Sequence, residues 1–323
     1  MPAHTADQIL RWVYQHGVTT PEKMTNLSRD HQALIMETLP ILGAQERTRL
    51  KASDGTRKLL LEWPRDAQRS PLLTETVLIP ANDRRTACVS SQVGCPVKCA
   101  FCASGLGGLE ANLTTGQIVE QIWRLGQIAK ERVSNVVFMG MGEPLSNYAA
   151  VTSAIQTIHA PWGLGISARR ITVSTVGLPA AIRKLATFPL PVTLALSLHA
   201  PDDTLRRQLI PWAEYATIDE ILEACTEYFN QTGREITFEY LLLGGVNDRP
   251  EHARALADVA QSLRANINLI RYNEVSELTF TRPTDSDVHA FQKILRSAHI
   301  NTHIRASRGR DIDAACGQLR QNE

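Results

Sequence analysis

The sequence predicts an α/β protein, a partial TIM-like (β/α)6 barrel preceded by a small helical module. Two observations carry that prediction. From residue 114 to residue 305, short apolar runs rich in β-branched residues alternate with amphipathic helical stretches. Such alternation builds a parallel sheet with helices outside it, open or closed into a barrel. Residues suited to chemistry also recur where strands should end: the Gly-rich turn at 140–143, Ser174-Thr175-Val176-Gly177, Ser197-Leu198-His199 and Asn273. Barrels of this kind place their chemistry on loops at those C-terminal strand ends.

In chain order, residues 5–16 read as a helix stopped by Gly17, and Thr20-Pro21 as a cap followed by Pro at a second helix start. Ser28 caps a third helix through Leu34, Ile35 and Met36. Trp12 and Tyr14 in the first helix read as packed aromatics before they read as base-stacking ones. Ser53-Asp54-Gly55-Thr56 lies between two strand-like runs and signals a hairpin; residues 75–79 and 86–90 flank a second turn at Asn82-Asp83. Thr114-Thr115-Gly116-Gln117 has the form of a capping box, and Ile118, Ile122, Leu125 and Ala129 line one helical face behind it. Expected strands then cover 136–139, 171–176, 192–198, 235–243, 267–272 and 300–305. Expected helices cover 148–159, 179–187, 218–229, 251–263 and 287–297, with Thr217 and Glu220 forming another capping box. The division that follows is a helical accessory module at 1–47, a β-hairpin extension at 48–85, the barrel at 86–306 and a C-terminal loop at 307–323.

At 323 residues the chain is long enough to bury roughly three-quarters of its unfolded surface. Hydrophobic content of 43% and charged content of 21% are those of a soluble globular protein. The opening residues Met1-Pro2-Ala3-His4-Thr5 carry no secretory-signal pattern, and no apolar run reaches spanning length, so a cytoplasmic protein with no membrane partner is expected. A net charge of +1 neither requires nor excludes nucleic acid. The six cysteines are Cys88, Cys95, Cys99, Cys102, Cys225 and Cys316; in a chain this long, such clustering reads as intracellular and metal-binding, not as a disulfide scaffold.

Three of them, Cys95, Cys99 and Cys102, stand in a Cys-x3-Cys-x2-Cys spacing. A structural zinc would need a fourth nearby Cys or His, and the loop has none. A cubane iron–sulfur cluster held by three thiolates keeps one iron open to a small molecule, since such cubes usually take four protein ligands. The spacing resembles the signature of the radical S-adenosylmethionine (SAM) superfamily, in which the open iron takes the amino and carboxylate groups of SAM. A radical SAM type of barrel is therefore implied.

Further stretches are more specific. Residues 88–95 (Cys88 to Cys95), Phe138-Met139-Gly140-Met141-Gly142-Glu143-Pro144, Ser174-Thr175-Val176-Gly177, Ser197-Leu198-His199-Ala200, Gly245-Val246-Asn247-Asp248 and the run from Asp311 to Leu319 resemble the RlmN/Cfr family of radical SAM RNA methyltransferases, over nearly the whole chain. The resemblance implies that Cys95, Cys99 and Cys102 hold a [4Fe-4S] cluster. It implies that Gly142, Glu143, Ser174, Ser197, Leu198, His199 and Asn273 bind SAM. Cys316 corresponds to the cysteine methylated by one SAM, whose methyl is then activated by a radical from a second SAM and added to adenine. Cys88 corresponds to the cysteine that releases the protein–RNA adduct by forming a disulfide with Cys316, and Glu75 to the carboxylate that removes the proton from the modified carbon. Read without the resemblance, Cys88 is a small buried hydrophobe, Glu75 a solvated strand carboxylate, His199 a satisfied strand-end histidine, and Ser174 and Ser197 turn residues.

The implied activity is methylation of adenosine C2 in 23S rRNA and tRNA by a monomer that draws electrons from a donor such as flavodoxin. Glu143-Pro144 and the complete N-terminal module favour the RlmN branch over Cfr-type methylation at adenine C8, which confers antibiotic resistance. A radical activase of another protein and a zinc-dependent RNA-binding protein are the competing classes. Arg169-Arg170, Arg206-Arg207, Arg305, Arg308 and Arg310 are candidates for a phosphate-contacting face around Cys316. The chain departs from the family at Ala213, where Asn is usual, at Glu274, where Pro is usual, and along residues 278–283.

Overall fold

The computed structural model describes residues 3–66, 68–263 and 265–320. Met1 and Pro2 of the expected helical module, and the last three residues of the expected C-terminal loop, lie outside them.

Two helices open the chain, α1 (Ala3–Tyr14) and α2 (Arg29–Thr38). Ser28 caps α2 as its side-chain type dictates, its Oγ accepting from the His31 amide at 3.3 Å. Thr20-Pro21 does not start a long helix. Only a single tight turn forms at Pro21–Lys23, without a side-chain cap bond, because the next cap follows too soon for more. Ile9, Val13, Met24, Leu27 and Ile35 form this module's own small core. Trp12 packs against it, and the Trp123 indole from the barrel donates to the Val13 carbonyl at 2.8 Å, docking the module.

The strands that follow are β1 (Gln45–Lys51), β2 (Arg57–Trp63), β3 (Leu72–Ala81) and β4 (Arg84–Cys88), joined in antiparallel succession. A two-stranded ribbon, β5 (Gln92–Gly94) with β6 (Leu109–Asn112), brackets the cysteine loop. Then come α3 (Thr115–Ala129), β7 (Asn135–Phe138), α4 (Tyr148–His159), β8 (Ile171–Thr175), α5 (Pro179–Ala186) and β9 (Thr193–Ser197). A short helix α6 (Asp203–Leu209), α7 (Ile218–Thr232), β10 (Ile236–Leu242), α8 (Pro250–Gln261), β11 (Ala265–Arg271), α9 (Asp285–Ser297) and β12 (Thr302–Arg305) complete the series.

All but β5 and β6 lie in one sheet of order β1-β2-β3-β4-β7-β8-β9-β10-β11-β12, with β4 parallel to β7 and every later pair parallel. Strand β4 is the pivot. It pairs antiparallel with the hairpin strands on one side and parallel with the barrel strands on the other. The edge strands β1 and β12 do not pair with each other, so the barrel is partial. The hairpin strands therefore extend the barrel's own sheet.

The helices cover the sheet as their apolar spacing requires. Ile118, Ile122 and Leu125 of α3 and Ile155 and Ile158 of α4 are buried against strand residues such as Val136, Ile171, Val173, Leu194 and Leu196. Each such fully buried aliphatic side chain contributes about 1.5–3 kcal/mol. Thr114 makes the expected capping box, accepting from the Gln117 amide while Gln117 Oε1 accepts from the Thr114 amide at 2.8 Å. Thr217 and Glu220 do the same at α7. Among the described residues no helix is long and apolar enough to cross a membrane.

Candidate active site

The site forms where the parallel strands end. A cleft there is lined by Cys95, Cys99 and Cys102 from the β5–β6 loop, Gly142 and Glu143 beyond β7, Ser174 at the end of β8, Ser197 of β9 with His199 after it, Glu239 of β10, Arg305 of β12, and Cys316. Ser174 and Ser197, one on each of two neighbouring strands, share a hydrogen bond at 3.1 Å between their hydroxyls. The notable member is Cys316. It is 221 residues beyond Cys95, and it reaches the cleft because the C-terminal segment folds back over the cysteine loop.

That return is held at both flanks of Cys316. The Ala103 amide donates to the Gly317 carbonyl at 2.8 Å, and the Ser104 hydroxyl to the Leu319 carbonyl at 2.6 Å. Upstream, the Gly309 amide donates to Asp54 at 3.1 Å and the Ser53 amide to Asp311 at 2.8 Å, so the hairpin turn between β1 and β2 straps the segment down. Asn273 donates to the Cys316 carbonyl at 3.2 Å.

Burial pushes the Cys95 thiol up to about 12 and raises Cys99 and Cys102 as well. Thiols so placed ionise only when positive charge arrives with them, as a cationic metal cluster provides. Among the described residues no group of three or more His, Cys, Asp or Glu side chains is gathered around a single-ion site, and the loop offers no fourth donor. The donor set fits a [4Fe-4S] cube with one iron free of protein. Arg206 stands behind this loop. It is almost wholly buried, with Nε donating to the Leu198 carbonyl at 3.3 Å and Nη2 to the Val176 carbonyl. That removes Arg206 from the expected phosphate-contacting face, because its guanidinium is spent on backbone carbonyls inside the protein.

Glu143 is buried, and burial pushes its carboxyl up to about 7. Its Oε1 accepts from the Leu145 amide and its Oε2 from the Val176 amide, both at 2.9 Å, so it ties the turn after β7 to the end of β8. Gly142 makes that turn possible. Its φ is +101°, and a Cβ there would fall 2.6 Å from Gln92 Cβ. His199 is neutral. Burial and Arg206 push it down to about 3, Nδ1 accepts from the Leu241 amide at 3.0 Å, and its ring meets Phe101 edge-on at 5.0 Å. Leu198 faces the hydrophobic core and is not a lining residue.

Behind Arg305 lies a second cavity, lined by Cys88, Val137, Met139, Asn273, Arg305 and Cys316 among others. Cys316 and Cys88 share it; Asn273 lines this cavity and not the first. Cys88 is buried, and burial with the neighbouring Cys316 pushes its thiol up to about 12 against the pull of Arg305. Arg305 donates from Nη1 to Glu239 at 3.0 Å, and Glu239 takes Asn268 Nδ2 on its other oxygen at 2.9 Å. Glu75 lies elsewhere. It is buried in a separate depression with Lys58, Asp311, Asp313 and Arg320, paired to Lys58 Nζ at 2.7 Å and accepting from the Arg320 amide at 2.9 Å. Its solvated reading from sequence is thus replaced by a buried ion pair.

Sequence reasoning named no role for Glu239, Arg305 as a partner of thiols, Gln92 or Asn247. Glu239 had a signal: it is the one charged residue in the otherwise apolar run from Phe238 to Leu243. Asn247 locks the His199 turn by donating to the His199 and Leu241 carbonyls at 2.8 and 2.7 Å.

The partial barrel and a cleft with three clustered cysteines define a radical SAM protein, and residues 89–257 match the Radical SAM superfamily description. Residues 2–41 match the Ribosomal RNA large subunit methyltransferase N-terminal domain. The chain is 46% identical to "Probable dual-specificity RNA methyltransferase RlmN" of Rhodopirellula baltica, covering 98% of this chain and 85% of that one. It is 44% identical to the protein of the same name from Acaryochloris marina, covering 100% and 90%. Among solved structures, a radical SAM methyltransferase from Sphaerobacter thermophilus superposes with a TM-score of 0.95 at 40% identity, covering 100% of this chain and 94% of that one. The chain belongs to the RlmN family of radical SAM methyltransferases.

Proposed function

We propose that this chain methylates C2 of an adenosine in RNA, in 23S rRNA and also in tRNA, with Cys316 as the methyl carrier. One observation carries the reading: Cys316 borders both the cleft of the three cluster cysteines and the cavity of Cys88. When bound, the cluster and SAM supply the radical chemistry that lets a methyl carbon join an electron-poor ring carbon. Cys95, Cys99 and Cys102 would hold the cluster, and Gly142, Glu143, Ser174, Ser197 and His199 border the space for SAM.

The chain's own residues do the rest. The Asn273 and Gly317 contacts hold the Cys316 backbone, so its sulfur stays between the two cavities. Cys88, as a thiolate, attacks the Cys316 sulfur. The bond from that sulfur to the methyl-derived carbon breaks with its electron pair left on the carbon, which takes up a proton to become the product methyl, and a Cys88–Cys316 disulfide forms. Arg305 faces both thiols and favours the charged form of Cys88. Glu75 serves as the base for the substrate proton, which requires the C-terminal segment to give up the Arg320 contact to its carboxylate. A monomer working in the cytoplasm with a low-potential donor such as flavodoxin completes the proposal.

Digestion and mass mapping of RNA from cells expressing the protein tests it. The expected product is 2-methyladenosine. Finding 8-methyladenosine instead would assign the Cfr-type reaction, and unmodified RNA together with an unmethylated Cys316 would remove the reading altogether.

A further inference from the structure

The cavity that joins Cys88 to Cys316 has an uneven charge. Three arginines line it, Arg84 from β4 and Arg305 and Arg308 from the end of β12 and beyond, and no carboxylate does. The carboxylates nearest two of them lie outside: Glu239 holds Arg305 at 3.0 Å, and Asp54 stands 3.9 Å from Arg308. Among the described residues the Arg84 guanidinium has no hydrogen-bond or ion-pair partner, and Arg84 is exposed. The Ser307 hydroxyl lines the same cavity, is shut off from solvent, and also has no partner. A buried hydroxyl without a partner is destabilising unless a ligand or water meets it. Much of the remaining lining is apolar: Ile79, Val137, Met139, Ala314 and Leu319.

We infer that this cavity is a phosphodiester subsite, in which Arg84, Arg308 and Ser307 grip a backbone phosphate of the substrate RNA beside the nucleotide presented to Cys316. The inference rests on the proposed RNA methylation and deepens it. Anionic oxygen is the chemistry that satisfies arginines and a hydroxyl together, since charge-assisted hydrogen bonds to phosphate are the strong ones. Arg305 is the inner cation, committed to Glu239 and to the thiols; Arg84 and Arg308 form the rim. A phosphate held there fixes the register of the strand, which an enzyme acting on one base needs. It also keeps the nucleotide in place while the Cys316 adduct is resolved.

The test uses the full chain and an RNA hairpin carrying the target adenosine, with one phosphate replaced by an uncharged methylphosphonate. Substitution at the phosphate flanking the adenosine weakens binding about tenfold, whereas substitution at a remote phosphate does not. In Arg84→Ala and Arg308→Ala proteins with wild-type melting temperature, the flanking substitution brings no further loss. The salt dependence of binding to the unmodified RNA falls by about 0.7 in log–log slope for each contact removed. Equal effects of flanking and remote substitution on the wild-type protein would overturn the subsite. Competition by inorganic phosphate alone, with no penalty for the flanking methylphosphonate, would make it a free-anion site and overturn it equally. The methyl on Cys316, read by intact mass of the wild-type protein, judges the underlying reaction separately. If that methyl is present while the methylphosphonate has no effect, only this inference fails.

Discussion

The Ala103 amide and the Gly317 carbonyl meet at 2.8 Å, bonding the cysteine loop to the residue after Cys316. One hydrogen bond thus ties the three-cysteine loop to the segment of Cys316, the proposed methyl carrier, across more than two hundred residues of chain. Gly317 adopts φ +87°, a region that L side chains enter at a penalty of about 1–2 kcal/mol. Gly317→Ala should leave the fold and the iron content unchanged and lower the fraction of Cys316 found methylated. Intact-mass spectrometry beside an iron assay reads both, and an unchanged methylated fraction would contradict the tie.

Cys88 sits with its thiol pushed up to about 12 by burial, and Arg305 pulls the other way. Below that value the thiolate fraction rises about tenfold per pH unit, so the rate of adduct resolution should climb from pH 7 to pH 9. Arg305→Met raises the thiol further and should slow resolution at every pH in that range. Single-turnover decay of the protein–RNA adduct is the measurement; a flat pH profile in the wild type would refute it.

Lys58 and Glu75 form a buried pair at 2.7 Å, with the Lys58 ammonium also donating to the Asp313 carbonyl at 3.1 Å. Lys58→Met strands the carboxylate in a site that already raises its pKa through burial. Breaking a buried pair in this way costs about 3–5 kcal/mol. Chemical denaturation should show that loss, and Lys58→Met with Glu75→Gln should recover part of it.

Burial raises the Glu143 carboxyl from its ordinary 4.5 to about 7 in the folded protein. Since the folded value is the higher one, the protonated form stabilises the fold. That contribution is complete below about 4.5 and disappears as the pH rises through about 7, amounting to about 3 kcal/mol. For protein freed of cluster and SAM, the melting temperature should therefore fall between pH 5 and pH 8. Glu143→Gln should flatten that slope, and a slope of unchanged size in the variant would show that another group is responsible.

Much of the fold was readable because its determinants are local. Ser28, Thr114 and Thr217 cap helices through bonds to residues three positions on, and the apolar spacing of α3 marks its buried face. The start at Thr20-Pro21 was readable but its length, a single turn at Pro21–Lys23, was not, and the short helix α6 and the β5–β6 ribbon were not readable, because each is too short for a periodic signal. The burial of Arg206 and Glu75 was equally hidden. A charged residue inside the protein looks like a surface one until its partners, here backbone carbonyls and Lys58, are brought to it.

The amino-acid order alone determined the alternating α/β architecture, the three-cysteine loop and the family likeness, since each depends on residue types at short, regular spacing. Tertiary structure alone decided that Cys316 borders two cavities, that Cys88 lines the second of them, and that this second cavity is lined by three arginines and by no carboxylate. The physical reason is chain return. The C-terminal segment is held by a few hydrogen bonds to the hairpin turn and the cysteine loop, and bonds between such distant residues leave no periodicity in the sequence.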